Sequence, residues 1–538
     1  MKYLGTKGVR CIPLMVLALG ACSRPADKAQ RRLPAVVLVD PEDGNESLPE
    51  QEPNDQRKNA QKLEPGQQLS GHIRSVKDVD WFAVEAAQEG VLRARLRGGE
   101  ADLVLEAFDA AGKRLVRVAS GGAAEGEVLP NLAVTKGRFF LRVALQGEKG
   151  APSSYQLSFE VRSAEGGEER EPNWKKELAS PLTIGDDAVG FLGWRNDSDW
   201  YRVELGSAPR GAIRAEMEGV DGVWPILELR DSRGKLIQRR RGRAGATVVL
   251  ANILRPDESE VYLVVRTLRT FNVEARYSVR IFVEPAIPGE QEPNDRASQA
   301  SWLVENVAAA GVLGDTYDRD YFALRVTKET LVWIEVSPSF RLDLAVAVAN
   351  SKGEPMIEVN GAGPGAREVL PAVIARPPQL LLRLRAPKAG GVDAAGRYRL
   401  KVWTRALVGF EQEPNDKVTL ASPLLPLANG AVSGFVHHEK DVDFYRLVAA
   451  SDRLQVQITS PPEVEVKVSV SQGGGKPLAS RKGKGELMLL AQVSAGQTYL
   501  LRVEGVKGSD TKRPYQLKLM EGPKPLAIPP SPSNKEIP

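Results

Sequence analysis

Apolar and polar side chains alternate with a period of two along much of the chain. Leu92, Ala94 and Leu96 alternate with Arg93, Arg95 and Arg97, and Tyr155, Leu157, Phe159 and Val161 alternate with Gln156, Ser158 and Glu160. This is the period of a strand with one buried face and one wet face. Gly and Asp turns interrupt such runs roughly every ten residues, and helical periodicity is confined to short stretches after a recurring Asn-Asp. The expectation is an all-β fold, with sheet packed on sheet rather than helices laid over a parallel sheet.

The alternation recurs on a longer scale. The string EQEPND occupies Glu50 to Asp55. It returns as EREPNW at Glu169 to Trp174, and as EQEPND at Glu290 to Asp295 and Glu411 to Asp416, at spacings of 119, 121 and 121 residues. Counting from the second glutamate, an Asp-x-Asp-aromatic-aromatic string follows at 26, 26, 26 and 28 residues: Asp78 to Phe82, Asp197 to Tyr201, Asp318 to Phe322 and Asp441 to Tyr445. A turn around Gly112, Gly234, Gly353 or Gly475 comes next, then a strand holding Arg142, Arg266, Arg383 or Arg502. A last strand opens at Tyr155, Tyr277, Tyr398 or Tyr515. The period is far longer than the roughly 20–50 residues of solenoid repeats. The prediction is therefore four tandem β-sandwich (jelly-roll/Ig-like) modules joined by short linkers, over 48–164, 165–286, 287–406 and 407–521. A chain of 538 residues agrees with three or four domains of about 150 residues each.

Lys2, Lys7 and Arg10 precede a mostly apolar run, Cys11 to Ala21, that ends Leu19-Gly20-Ala21-Cys22. The run is too short to span a bilayer. It resembles a bacterial lipoprotein signal peptide, 1–21, closing in a lipobox, with an ordinary signal peptide and a chance cysteine as the alternative. The resemblance implies a diacylglycerol on the Cys22 thiol and an acyl chain on its amine, enough for stable membrane anchoring. Ser23 then implies passage to the outer membrane of the cell envelope. Residues 22–47 read as a flexible tether able to reach roughly 90 Å when extended, and the Pro-rich 522–538 as a disordered tail. Once Cys11 is removed no cysteine pair remains for a disulfide. The formal charge falls from +4 to about +1, which gives no ground for nucleic-acid binding.

By its EPND string, its Asp-x-Asp-aromatic string and their fixed spacing, each module resembles the bacterial pre-peptidase C-terminal (PPC) domain, a β-sandwich often appended to secreted proteases. That family is similar to the collagen-binding domains of bacterial collagenases, where calcium sits beside the N-terminal strand, and the resemblance implies a Ca2+ site in each module. The residues suit one. In an extended segment Glu50, Glu52 and Asn54 share a side, as do Asp78 and Asp80. With Asp55 as a sixth, they meet the demand of a hard cation for about six to eight oxygens. The equivalents are Glu290, Glu292, Asn294, Asp295, Asp318 and Asp320 in module three, and Glu411, Glu413, Asn415, Asp416, Asp441 and Asp443 in module four. In module two Trp174 replaces the final Asp, so Glu169, Glu171, Asn173, Asp197 and Asp199 are expected to form the weakest site. The structural alternative is that Asn-Asp caps a short helix and Asp-x-Asp is a solvated turn. The aromatic pairs are expected in the core or on a sheet face, and strand arginines such as Arg142 and Arg502 solvated or paired.

Catalysis is not expected. His72, His437 and His438 form no HExxH string, and there is no G-x-S-x-G elbow, P-loop or cysteine nucleophile. The glycine-rich Gly361 to Gly365 reads as a hairpin loop. Two non-enzymatic functions fit. One is adhesion, in which repeated weak sites act together on a polysaccharide, a matrix protein or an exported enzyme. The other is a calcium-stiffened spacer or display stalk, and a hydrolase with an unrecognised carboxylate site is the third possibility.

Overall fold

The structure, a computed structural model, describes residues 47–520 apart from 148–151, 207, 209, 388–396 and 425–430. The expected signal peptide, Cys22, the tether up to residue 46 and the tail from 522 lie outside the described residues.

Strand accounts for 55% of the chain, and the described residues contain no α-helix. The short helical stretches after each Asn-Asp become 3-10 turns at Arg57–Asn59, Lys176–Leu178, Ala297–Gln299 and Val418–Leu420. In the first repeat one sheet runs, in order, Leu48–Pro49, Gln68–Ile73, Ser153–Arg162, Gly90–Gly98 and Glu127–Val134. The other runs Gln61–Leu63, Val79–Ala86, Gly137–Leu145, Leu103–Phe108 and Arg114–Val118. All pairings are antiparallel except those of the short first strand of each sheet. Successive strands mostly alternate between the sheets, so the chain winds around the apolar side chains between them. The period-two pattern holds in the last strand, where Tyr155, Leu157 and Phe159 are buried while Gln156 and Glu160 are exposed. Leu69, Phe82, Leu92, Leu96 and Leu105 have no residual exposure. Each such burial stabilises by roughly 1.5–3 kcal/mol.

The winding continues across the repeat boundaries, which corrects the fold expected from the sequence. The chain is arranged as a β-solenoid of about 18 turns, not as four discrete β-sandwich (jelly-roll/Ig-like) modules joined by short linkers. The expected linker segments are themselves paired. Ala133 N–H donates to the Glu171 carbonyl at 2.8 Å and Glu171 N–H to the Asn131 carbonyl at 2.9 Å. Ile374 N–H and Glu413 N–H bond across the third boundary at 2.8 and 2.9 Å. Side chains close over the joints as well. Arg93 lies on the face expected to be wet, yet is 2% exposed, because Phe191, Val273 and Glu274 of the second repeat cover it. At the third joint Leu331, Trp333, Ala372, Ile374 and Phe435 form one apolar cluster. The physical reason is that the sheet faces at the joints keep apolar and arginine-stem surface, which gains by leaving water against the next repeat. Gly361 to Gly365 is likewise not a hairpin loop: it joins Pro355–Val359 to Glu368–Ala375, which belong to different sheets.

Candidate metal centre

The second, third and fourth of the glutamate-rich strings lie along these joints. The backbones of Glu171, Glu292 and Glu413 bridge to the preceding repeat, at Leu132, Ile253 and Val373. Their carboxylates meet the Asp-x-Asp strings of their own repeats. The triplets Glu52, Asp78, Asp80; Glu169, Glu171, Asp199; Glu292, Asp318, Asp320; and Glu413, Asp441, Asp443 each bring one oxygen per residue within 4.8 Å of the others. The fold thus gathers the residues the sequence singled out into four carboxylate boxes.

Each member has a recurring role. The first aspartate, Asp78, Asp197, Asp318 or Asp441, accepts a backbone N–H from four residues earlier at 2.6 Å. That half of the solvated-turn alternative is present, although these aspartates are at most 8% exposed. The second aspartate accepts the hydroxyl of the last-strand tyrosine. Tyr155 donates to Asp80 at 2.5 Å, Tyr277 to Asp199 at 2.6 Å, Tyr398 to Asp320 at 2.5 Å and Tyr515 to Asp443 at 2.7 Å. The Asn residues do not cap the 3-10 turns, whose N-caps are Gln56, Lys175, Arg296 and Lys417. Asn54, Asn173, Asn294 and Asn415 are instead wholly buried in the boxes. The string's last position is peripheral: Asp55 is exposed, Trp174 is 44% exposed, and Asp295 meets Gln238 and Arg240 at the rim.

Three contributors escaped the sequence reading. The tyrosines were visible only as strand openers. Opposite each ring stands Gly71, Gly190, Gly311 or Gly434, where a Cβ would come within 2.2–2.6 Å of the tyrosine ring or hydroxyl. These glycines follow the first glutamate at 21, 21, 21 and 23 residues, so the same register would have found them. Asn131 and Asn252, from the preceding repeats, donate to Glu169 and Glu290. The aromatic pairs are core and sheet-face residues, Phe82 and Tyr201 buried and Trp81 packed on Phe108. Arg142 pairs with Glu106 and Arg502 with Glu504.

The boxes differ in what offsets their charge. In repeat one Arg74, half exposed, bonds Glu52 and reaches Glu50 at 3.4 Å. In repeat three the buried Arg240, sent across the joint from repeat two, bonds Glu292 and Asp318. In repeat four His437 Nδ1 lies 3.3 Å from both Glu413 and Asp441. Burial opposes protonation of that ring, but the two carboxylates outweigh it and hold its pKa well above the usual histidine range. In repeat two no Lys, Arg or His among the described residues reaches Glu169, Glu171, Asp197 or Asp199. Gly193 stands where repeats one and four have Arg74 and His437. Burial pushes Glu169, Glu171 and Asp199 well above the carboxylate range and Asp197 up to about 7. Glu171 Oε1, Asn173 Oδ1 and Asp199 Oδ1 are buried without a hydrogen-bond partner, as are their equivalents Glu413 Oε1, Asn415 Oδ1 and Asp443 Oδ1, so it is the lack of a protein cation that sets repeat two apart. Three such oxygens beside further carboxylates match the donor set of a hard divalent cation.

Fold and boxes together define an all-β tandem-repeat protein whose joints are closed by buried carboxylates. No protein-family model matches the chain, and no curated protein matches it. Among solved structures, the pre-peptidase C-terminal domain of a Bacillus anthracis collagenase is similar to 19% of this chain over 94% of its own length, at 12% identity and TM-score 0.17. The CUB1-EGF-CUB2 region of human MASP-1/3 aligns with 39% of the chain over 99% of its own, at 9% identity and TM-score 0.13. A triple jelly-roll protein of an archaeal virus aligns with 60% over 82%, at 8% identity and TM-score 0.15.

Proposed function

We propose that this chain is a non-catalytic bacterial lipoprotein of PPC-like repeats, which serves as a stiff display rod at the cell envelope. Acyl groups on Cys22 hold it to the outer membrane, and the tether sets the rod off the bilayer. The observation that carries the proposal is the position of the boxes: the second, third and fourth each straddle a joint, so a bound counter-charge fixes one repeat against the next. Apart from Asp295 and Asp416 at the rim, the carboxylates of these three boxes are at most 5% exposed, which leaves a glycosidic bond no approach to them.

Three boxes carry a cation of the protein's own, so the Ca2+ of this proposal belongs to repeat two, the reverse of the order expected from Trp174. Glu169, Glu171, Asn173, Asp197 and Asp199 would hold it, and its charge would supply what Arg240 supplies one joint later. The test is calorimetry with calcium and with chelator, beside a direct count of bound ions. About one ion per chain, lost in Asp199→Asn, and a melt that rises with calcium are expected. Three ions would return the sites to repeats one, three and four, and none would leave the joints without metal.

A further inference from the structure

A cleft at the second joint lies outside the boxes. It encloses about 620 Å³, within the range of small-ligand sites, between the Trp224 and Leu268 loops of repeat two and the Tyr317 loop of repeat three. Trp224 is 58% and Tyr317 70% exposed, among the most exposed aromatic side chains described. Arg241, Arg243 and Arg269 line the same cleft, and none of them forms an ion pair with a described residue.

The lining acid is Asp315, and its oxygens are engaged. Oδ2 accepts the Arg241 N–H at 3.2 Å, while Oδ1 accepts the N–H groups of Tyr317 at 2.6 Å and Asp318 at 2.9 Å. Asp315 therefore ties the two walls together through main-chain N–H groups, and the cleft is lined by three arginines and this one acid. The backbone at Trp224 is held too, since its main-chain N–H donates to Thr270 Oγ1 at 2.9 Å. The site is not a repeated feature. Counted from the turn glycines, Trp224 and Arg241 correspond to Asp102 and Ala119 in repeat one and to Asp343 and Asn360 in repeat three.

We infer that this cleft binds an acidic oligosaccharide. The flat faces of Trp224 and Tyr317 suit the apolar C–H face of a sugar ring. The guanidinium forks suit its carboxylate or sulfate groups, which they grip in bidentate fashion. A cleft of this volume takes a few sugar units and is too small for a folded protein surface. The inference goes beyond the display rod and does not depend on the repeat-two cation.

The experiment is titration of the full chain with an oligogalacturonate, a heparin-derived sulfated oligosaccharide, neutral cellohexaose and poly-glutamate, read by calorimetry and tryptophan fluorescence. At least one acidic oligosaccharide binds, more weakly as salt is raised, and cellohexaose does not. The preferred probe shows whether carboxylate or sulfate is the better group. Trp224→Ala and the pair Arg241→Ala, Arg243→Ala each weaken binding roughly tenfold or more, with an unchanged melting profile to show that the fold survives. Tyr317→Ala is the second aromatic variant should Trp224→Ala not fold. Equal binding of cellohexaose, equal binding of poly-glutamate, or acidic binding untouched by these substitutions would each overturn the inference. The ion count at repeat two is read separately, so failure of one proposal leaves the other standing.

Discussion

Replacing Arg240 with methionine removes the cation of the second joint while keeping most of its stem. The guanidinium bonds Glu292, donates to Asp318 Oδ1 at 2.8 Å and lies 3.5 Å from Asp295, with the side chain 5% exposed. Removing one side of a buried ion pair costs about 3–5 kcal/mol, because the stranded carboxylates sit where water cannot solvate them. A domain is stable by only about 5–15 kcal/mol, so the loss is a large share. At about 4 °C per kcal/mol for a unit of this size, melting should fall by roughly 10–20 °C at pH 7. The carboxylates can escape by taking up protons. Burial already pushes Asp318 upward and Arg240 restrains it, so without Arg240 it rises further. A carboxylate whose folded pKa is raised favours the fold below its unfolded value and loses that benefit as pH climbs, so the deficit should be largest at pH 7 and shrink toward pH 5. Scanning calorimetry of both proteins in chelator at the two pH values measures it. A variant melting within about 2 °C of the parent at pH 7 would refute the role of Arg240 as counter-ion, and a deficit equal at both pH values would assign the loss to packing.

Two further expectations concern other parts of the repeats. Gly311→Ala places a Cβ 2.3 Å from both the Tyr398 hydroxyl and Glu290 Oε1, and should cost about 1–3 kcal/mol in chemical denaturation; Gly361→Ala, with open space around it, is the neutral control. Glu127 is buried and accepts N–H bonds from Ser120 and Gly121 at 3.0 and 2.9 Å, and burial raises its pKa to about 7. Its contribution is therefore complete below about pH 4.5 and lost as pH rises through 7. Melting of Glu127→Gln should be flatter than that of the parent across this window, and identical pH profiles would contradict the assignment.

Much of the site was legible because its residues are held in a register. Glu50, Glu52, Asn54, Asp78 and Asp80 recur at fixed spacing, and the fold does bring them and their equivalents together. What the register could not reveal is each repeat's dependence on its neighbour. Alternation marks Arg93 as wet, yet whether the outer face meets solvent or another repeat depends on surfaces far away in sequence, and this is where the expectation of separate modules failed. The same limit applies to Arg240, Asn131 and Asn252, which serve a box belonging to the next repeat. His437 carried no signal because it does not recur. It acts as one of several interchangeable solutions to a charge that does.

The Arg240 joint also bears on how such a gene can change by recombination. Similar tandem units invite loss or duplication of whole periods. Here the excision of repeat two would set repeat one directly before repeat three. Counted from the turn glycines, the residue then presented where Arg240 now stands would be Val118, and Glu292 and Asp318 would face a valine. The copies share a pattern but are not interchangeable parts. Their order is part of what makes the chain fold.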